Sequence, residues 1–356
     1  MHKHGQLGMG MRIRCRLRPS SSRRRCRLLG GDTAAFCASL VEGLAHLEST
    51  LEVDHQSGTV SMRWCADAMR LVKRMQREML AIFRKADVPV AAGAAGAGAG
   101  DWFEHYMQET AALLDFCNAF KAAVSRMHRY CMVVDFAAQV IVGRGCDGGA
   151  AAAASLVVEP CQAQGQAASS AAFRDKMADA KAAVAEAERL GRAIIVSGAG
   201  GDDAAGGMVV VTLVAKITTS ILSMFVLQAL TAPSPATVVD DNGGVRPTIA
   251  SAVDVDVVPE LEPWCESLSL IHARFPSPAA VAEHEKVATA VRDLVSGKVD
   301  GGGGRDGEQQ EELLRARSGE LREGVETFDC VLDEVFDEVI RGRNEMLGIL
   351  RDKALT

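Results

Sequence analysis

Aromatic residues are scarce in this chain, where 11 Phe, 3 Trp and 2 Tyr make up 4% of 356 residues. The ten cysteines are scattered, and they form no C-x-x-C pair and no Cys/His cluster at zinc-binding spacing. The N-terminus lacks the continuous apolar core of about 7 or more residues that a secretory signal needs. We find no internal repeat and no persuasive strand alternation. These absences favour a helical protein of a reducing compartment, without a disulfide framework.

Motifs that carry chemistry are also missing. The sequence contains no G-x-S-x-G elbow and no H-E-x-x-H pair, and no carboxylate pair stands out from the acidic background. Its glycine-rich runs at 96–100, 198–201 and 301–304 do not continue into the Gly-Lys-Ser/Thr of a phosphate-binding loop. The sequence therefore predicts a protein that is not an enzyme and that holds no cofactor and no metal.

Charge is distributed unevenly along the chain, whose formal net charge is −7. Residues 1–31, called the basic head below, hold nine Lys and Arg and no acidic residue. The remainder has 30 basic against 46 acidic residues, a net charge near −16. Such a charge disfavours binding to nucleic acid. Three interpretations of the basic head stay open: a plastid or mitochondrial transit peptide, a disordered tail that contacts anionic lipid, or sequence upstream of the true start.

The most informative stretch is 101–142, which contains neither Pro nor Gly. Asp101 is a residue type that caps helices, and apolar side chains then recur at helical spacing. A helix of this length measures roughly 60 Å, so it needs partner helices along most of its length. The recurring residues are Trp102, Tyr106, Leu113, Leu114, Cys117, Phe120, Val124, Met127, Cys131, Val134, Ala138 and Ile141.

Further amphipathic segments predict an all-α fold, an elongated bundle of long helices joined by glycine-rich loops. We expect one bundle domain over 32–356, with disordered insertions near 91–100, 143–168, 233–259 and 298–307. The other predicted helices cover 32–53, 59–85, 169–190, 263–275, 278–295 and 308–354.

Met208–Leu230 is long and apolar enough to cross a bilayer, and Lys216 is its single charge. The same composition also describes a helix buried in a protein core, and apolar length alone does not separate the two. A span would separate the last helix from the first three, on the opposite side of the bilayer. Both interpretations stay open.

Two polar residues of the long helix, Asp115 and Asn118, flank apolar positions. We expect one of them to be drawn into the bundle, where a buried polar group can fix helix register. On the second helix, Met62, Met69, Met75 and Met79 are expected to be adaptable core, or, in an alternative interpretation, the lining of a pocket for an apolar metabolite.

Four blocks of the sequence resemble the plant BYPASS-like family, which is related to the ROH group of exocyst-binding proteins. They are 36–47, 60–82, 101–120 and 340–350. The third block is the most specific, and the fourth contains a Gly-Arg pair followed by apolar residues. The matching positions are Asp101, Trp102, Leu113, Leu114, Asp115, Cys117 and Asn118, followed by Gly342 and Arg343.

The resemblance implies a mostly helical, non-enzymatic regulator of a root-derived mobile signal that restrains shoot growth. It implies protein partners, an exocyst subunit among the candidates, and association with a membrane at the endoplasmic reticulum or its cytoplasmic face, or a plastid location. The related ROH proteins imply a role in secretion as the alternative. The resemblance carries over no catalytic residue.

Overall fold

The structure is a computed structural model that describes residues 30–51, 58–86, 101–143, 204–231, 261–276, 279–295 and 305–355. These ranges contain seven helices and one pair of two-residue strands, which confirms the all-α fold class. The basic head, the four predicted insertions and the predicted helix 169–190 lie wholly or largely outside the described residues. The elements are α1 (Gly31–Thr50), β1 (Thr59–Val60), α2 (Met62–Lys85), α3 (Asp101–Gly143), α4 (Ala204–Thr231), α5 (Glu262–Arg274), β2 (Ala280–Val281), α6 (Ala282–Val295) and α7 (Arg305–Leu355).

Helices α2 and α3 form the middle of the bundle, because α7 packs along both of them and α4 packs along both as well. Helices α2 and α7 are parallel. Their register is marked by three ion pairs, each between residues 261 apart: Lys73 with Glu334, Arg77 with Glu338, and Arg84 with Glu345. The spacing of these pairs, four and then seven residues, keeps them on one side of both helices.

Helix α3 is unbroken over 43 residues and runs antiparallel to α7. Arg343 of α7 binds near the start of α3, Lys121 pairs with Asp329 at its middle, and Arg322 pairs with Asp135 towards its end. The prediction that this long helix would be partnered along its length is confirmed.

Helix α1 forms an antiparallel hairpin with α2, and the Trp64 indole N–H donates to the Leu47 carbonyl oxygen at 2.9 Å. Helix α5 packs on α1, and the Trp264 indole N–H donates to the Thr218 hydroxyl of α4 at 2.9 Å. Helix α6 packs on α7. The core is therefore continuous from α5 through the central helices to α6.

The second helix begins later than predicted, at Met62 rather than residue 59. Thr59 and Val60 instead pair in parallel with Ala280 and Val281, so the predicted helix start at about residue 59 is corrected to Met62. Gly58 adopts a positive φ of 62° in the turn before β1. The Ser61 hydroxyl then accepts a hydrogen bond from the Trp64 amide at 3.2 Å and caps α2.

Helix α4 contains the apolar segment predicted at 208–230. One helix of the described ranges, Gly207–Thr231, is long and apolar enough to cross a membrane by length and composition. Its most apolar window is 89% buried by the rest of the protein. Met208, Lys216 and Leu230 are all buried. In this arrangement α4 serves as a core helix of the bundle.

Candidate functional site

A cluster of polar side chains lies buried where α2, α3 and α4 meet. Its centre is Glu109 of α3, which is 3% exposed. The Gln76 side-chain amide of α2 donates hydrogen bonds of 2.8 and 3.1 Å to the two oxygens of the Glu109 carboxylate. Glu109 stands on the stripe of α3 that faces the core, three residues after Tyr106 and four before Leu113.

The protonation of Glu109 is set by opposing effects. Burial raises the pKa of Glu109 from its ordinary 4.5 to about 7, because the low-dielectric interior disfavours a carboxylate. The hydrogen bond from Gln76, the Thr219 hydroxyl and the positive charge of Lys216 each lower that pKa. Glu109 is therefore a carboxyl group that changes its charge near neutral pH inside the bundle.

Helix α4 supplies the other side of this cluster. It is apolar overall, yet it buries Lys216 at 5% exposure together with five hydroxyl side chains. The hydroxyls of Thr219 and Ser223 make no hydrogen bond of regular geometry within the described residues. The Thr212 hydroxyl donates to the Met208 carbonyl of its own helix at 2.8 Å. The buried hydroxyl residues are Thr212, Thr218, Thr219, Ser220 and Ser223.

The Gly-Arg pair of α7 meets α3 one turn from this cluster. A guanidinium nitrogen of Arg343 donates to the Met107 carbonyl and to the Thr110 hydroxyl, both at 2.6 Å. Gly342 faces Tyr106 so closely that a Cβ atom there would lie 2.6 Å from the Tyr106 hydroxyl oxygen. The absence of a side chain at Gly342 thus lets α7 approach α3 at the point where Arg343 binds it.

Trp102 anchors the start of α3. Its ring is buried and lies 4.7 Å from the Phe83 ring of α2, centroid to centroid. Its indole nitrogen has no hydrogen-bond partner within the described residues. Asp101 is the first residue of α3. Together with Gly342 and Arg343, this end of α3 brings two of the resembling blocks into one packing site.

The expected burial of Asp115 or Asn118 is wrong, because both side chains are exposed on α3. The buried polar residues of this helix are Glu109 and Thr110 instead. Asp115 and Asn118 belong to a line of solvent-facing residues, here called the outward stripe of α3. It consists of Glu104, Gln108, Asp115, Asn118, Ser125, Arg129, Met132 and Phe136.

The other residues of α3 that carry the family resemblance pack in the core or against it. Leu113 and Cys117 are buried and Leu114 is half-buried against the core. Burial raises the pKa of the Cys117 thiol to about 12, so this thiol stays neutral and behaves as a small apolar group. The four methionines of α2 (Met62, Met69, Met75 and Met79) are also buried in the core.

Glu109 was not among the residues predicted to form a site, although the sequence contains a signal for it. The apolar stripe of α3 has an interruption between Tyr106 and Leu113, and Glu109 and Thr110 occupy it. Lys216 is likewise the single charge in the apolar run of α4. Two interruptions of otherwise apolar helices mark the places where buried polar partners meet. Gln76 and Thr219 gave no comparable signal.

Within the ranges that the structure describes, no group of three or more His, Cys, Asp or Glu side chains is placed to hold a metal ion. Comparison with family models, with curated proteins and with solved structures finds no match for this chain.

Proposed function

We propose that this protein is a non-enzymatic helical adaptor that binds protein partners through the outward stripe of α3, at a membrane surface. The observation that carries the proposal is the composition of that stripe. Asp115 and Asn118 face solvent in line with two large apolar side chains, Met132 and Phe136, which are 69% and 56% exposed. Neighbouring apolar side chains with a polar surround are typical of a protein-binding surface.

The geometry of the outward stripe defines the partner that would fit. Met132 and Phe136 are one helical turn apart, so they form one apolar patch. Arg129 of the same stripe lies three residues before Met132 and brings positive charge next to the patch, whereas Glu104 and Asp115 lie at least 17 residues away along α3. The partner is therefore a protein that offers an apolar patch with an acidic side chain beside it.

The resemblance to the BYPASS-like family supports a regulatory role in root-to-shoot signalling and in root and shoot development. Two of the positions that carry the resemblance, Asp115 and Asn118, belong to the outward stripe. An exocyst subunit is the candidate partner in the alternative role in secretion. The endoplasmic reticulum or its cytoplasmic face is the proposed location, and a plastid is the alternative that the basic head supports.

The test compares captured proteins across matched variants. Purified full chain, the double variant Met132→Glu/Phe136→Glu and the control Leu347→Glu, which changes an exposed leucine on α7, are each immobilised and exposed to plant extract. The proposal expects a defined set of proteins that binds the full chain and the control but not the double variant. Exocyst subunits in that set favour the secretory role. Equal capture by all three proteins overturns the assignment to the outward stripe.

Membrane association is tested separately, by alkaline carbonate extraction of a C-terminally tagged chain. A peripheral adaptor with α4 in its core is extracted into the supernatant. Retention in the membrane pellet would mean that α4 spans the bilayer, because only an inserted helix resists extraction. That result would replace the bundle described above with a different arrangement in cells.

The carrier alternative rests on the methionines of α2. Since Met62, Met69, Met75 and Met79 pack inside the core, the adaptor role is the better supported of the two. Native mass spectrometry of the purified chain distinguishes them, because a copurified apolar ligand would favour a carrier.

A further inference from the structure

We propose that the basic head docks on the outer face of α7 within the same chain. The outer face of α7 is defined by six exposed residues at helical spacing: Glu320, Glu323, Glu326, Cys330, Asp333 and Asp337. Nothing in the adaptor proposal depends on this contact, since the outward stripe of α3 is a different surface.

The outer face of α7 carries unbalanced negative charge. Glu323, Glu326 and Asp337 form no ion pair with any of the described residues. Glu320 and Asp333 each face one lysine, Lys286 at 3.6 Å and Lys121 at 2.7 Å. This face is also free of covering helices among the described elements, because α2, α3 and α6 occupy the other sides of α7.

The positive charge of the basic head complements the negative charge of the outer face of α7. Its nine Lys and Arg residues come without a single acid, while the rest of the chain is near −16. Arginine pairs well with carboxylates because its planar guanidinium can bind both oxygens at once. Eight of the nine basic residues are arginines, which lie between positions 12 and 27.

The basic head can reach the outer face of α7, because the helix that follows the head begins near the C-terminal part of α7. Helix α1 begins at Gly31, and Asp32 pairs with Lys85 at the end of α2 at 3.1 Å. The neighbouring Arg84 pairs with Glu345 of α7. The head therefore starts beside the C-terminal part of α7. Cys330 lies 15 residues before Glu345, about 23 Å along the helix. The 15 residue-to-residue steps from Cys15 to Gly30 can span about 50 Å.

Because the basic head belongs to the same chain as α7, weak contacts are sufficient to keep it docked on the outer face of α7. Single exposed ion pairs contribute about 0 to 1 kcal/mol, so several must act together. A tethered segment experiences an effective concentration in the millimolar range, and even modest affinity then gives substantial occupancy. The contact is electrostatic at an exposed surface, so salt must weaken it.

The chain provides its own probes for a cross-linking test. Cys330 is exposed on the outer face of α7, whereas the other described cysteines are buried. Cys15 lies in the basic head. The full chain carrying Cys26→Ser, Cys146→Ser and Cys161→Ser is treated with a short bis-maleimide, and linked peptides are quantified by mass spectrometry. The matched control adds Cys330→Ser and Ser125→Cys, which moves the target thiol to the outward stripe of α3 at the same height of the bundle.

The control link joins Cys15 to the cysteine introduced at position 125. We expect the yield of the Cys15–Cys330 link to be about ten times the yield of the control link at low salt. The yield should fall several-fold in about 0.5 M NaCl, and also in a Glu323→Lys/Glu326→Lys variant. A Glu104→Lys/Gln108→Lys variant should leave it unchanged. Equal yields at the two target positions, or insensitivity to salt and to the α7 charge reversal, would overturn the proposal.

A mixture of isotopically heavy and light chains establishes whether the link forms within one molecule. For docking within one chain, we expect linked peptide pairs in which both peptides carry the same isotope. Links that join heavy to light chains in statistical proportion would overturn docking within the chain and would identify contact between molecules instead.

Discussion

Gln76 and Glu109 face each other across the buried junction of α2 and α3, with the amide nitrogen 2.8 Å from the nearer carboxylate oxygen. Both side chains are withdrawn from solvent, so the pair ties the two central helices together at one height. A buried carboxyl group that titrates near neutrality makes the stability of the bundle depend on pH at this point.

The first prediction concerns the pH dependence contributed by Glu109. The pKa of Glu109 is about 7 in the folded chain against 4.5 ordinarily, so the folded state binds the proton more tightly between these values. The free energy of unfolding must then fall as pH rises from 4.5 towards 7, by about 3 kcal/mol from this group. Glu109→Gln should remove that component.

Urea unfolding at pH 5, 6, 7 and 8 measures this effect as the difference between the two proteins. Glu104→Gln, an exposed change on the same helix, is the control and should run parallel to the unchanged chain. A difference between Glu109→Gln and the unchanged chain that stays constant over this pH range would contradict the prediction.

The second prediction concerns Lys216, whose positive charge lowers the pKa of Glu109. At pH 8 Glu109 is largely ionised, and Lys216→Met then removes a favourable charge from beside a buried carboxylate. At pH 5 Glu109 is largely neutral, so the same change costs less. We expect Lys216→Met to destabilise the chain by about 1–3 kcal/mol more at pH 8 than at pH 5.

Lys286→Met is a suitable comparison, because Lys286 pairs with Glu320 at an exposed site. Lys286→Met should lower the free energy of unfolding only slightly, and by a similar amount at pH 5 and pH 8. If both lysine changes responded to pH alike, the coupling between Lys216 and Glu109 would be refuted.

The third prediction contrasts two glycines of α7. A Cβ at Gly342 would lie 2.6 Å from the Tyr106 hydroxyl oxygen, whereas a Cβ at Gly348 would meet open space. We expect Gly342→Ala to lower the free energy of unfolding by about 1–3 kcal/mol through overpacking. Gly348→Ala should instead raise it by about 0.5–1 kcal/mol, because alanine favours the helix. Thermal unfolding of the two variants checks the opposite signs.

The fourth prediction concerns Arg343, whose guanidinium joins α7 to the Met107 carbonyl and the Thr110 hydroxyl. A lysine side chain ends one bond short of the Nη1 nitrogen that makes both hydrogen bonds. Arg343→Lys should therefore cost about 1.5–3 kcal/mol, the range of a hydrogen bond to a charged donor. Arg351→Lys, at an exposed position of the same helix, should be neutral in the same denaturation experiment.

The long helices were predictable from sequence because their signal is local. The apolar residues of α3 recur over many turns, and the helix begins at Asp101 as predicted. The strand pair was not predictable, because two residues carry no periodic pattern and Thr59 pairs with Ala280, more than 200 residues away. A strand of that length depends on its distant partner rather than on its own sequence.

The environment of α4 could not be decided from sequence for a different reason. Hydrocarbon and a protein core accept the same side chains, so Met208–Leu230 fits either one. In the arrangement described here α4 is mostly buried and Lys216 lies near enough to Glu109 to lower its pKa, and that relationship exists only in the folded chain. The burial of Asp115 or Asn118 was mispredicted because both were judged by neighbours in sequence rather than by their angle around α3.

The parallel pairing of α2 with α7 has a consequence for synthesis. Partners 261 residues apart cannot meet until α7 itself has left the ribosome. Until then, one side of α2 and one side of α3 stay without their covering helix, and their apolar residues are open to aggregation. Ribosomes stalled before α7 should therefore carry nascent chains that bind holding chaperones, whereas completed chains should not.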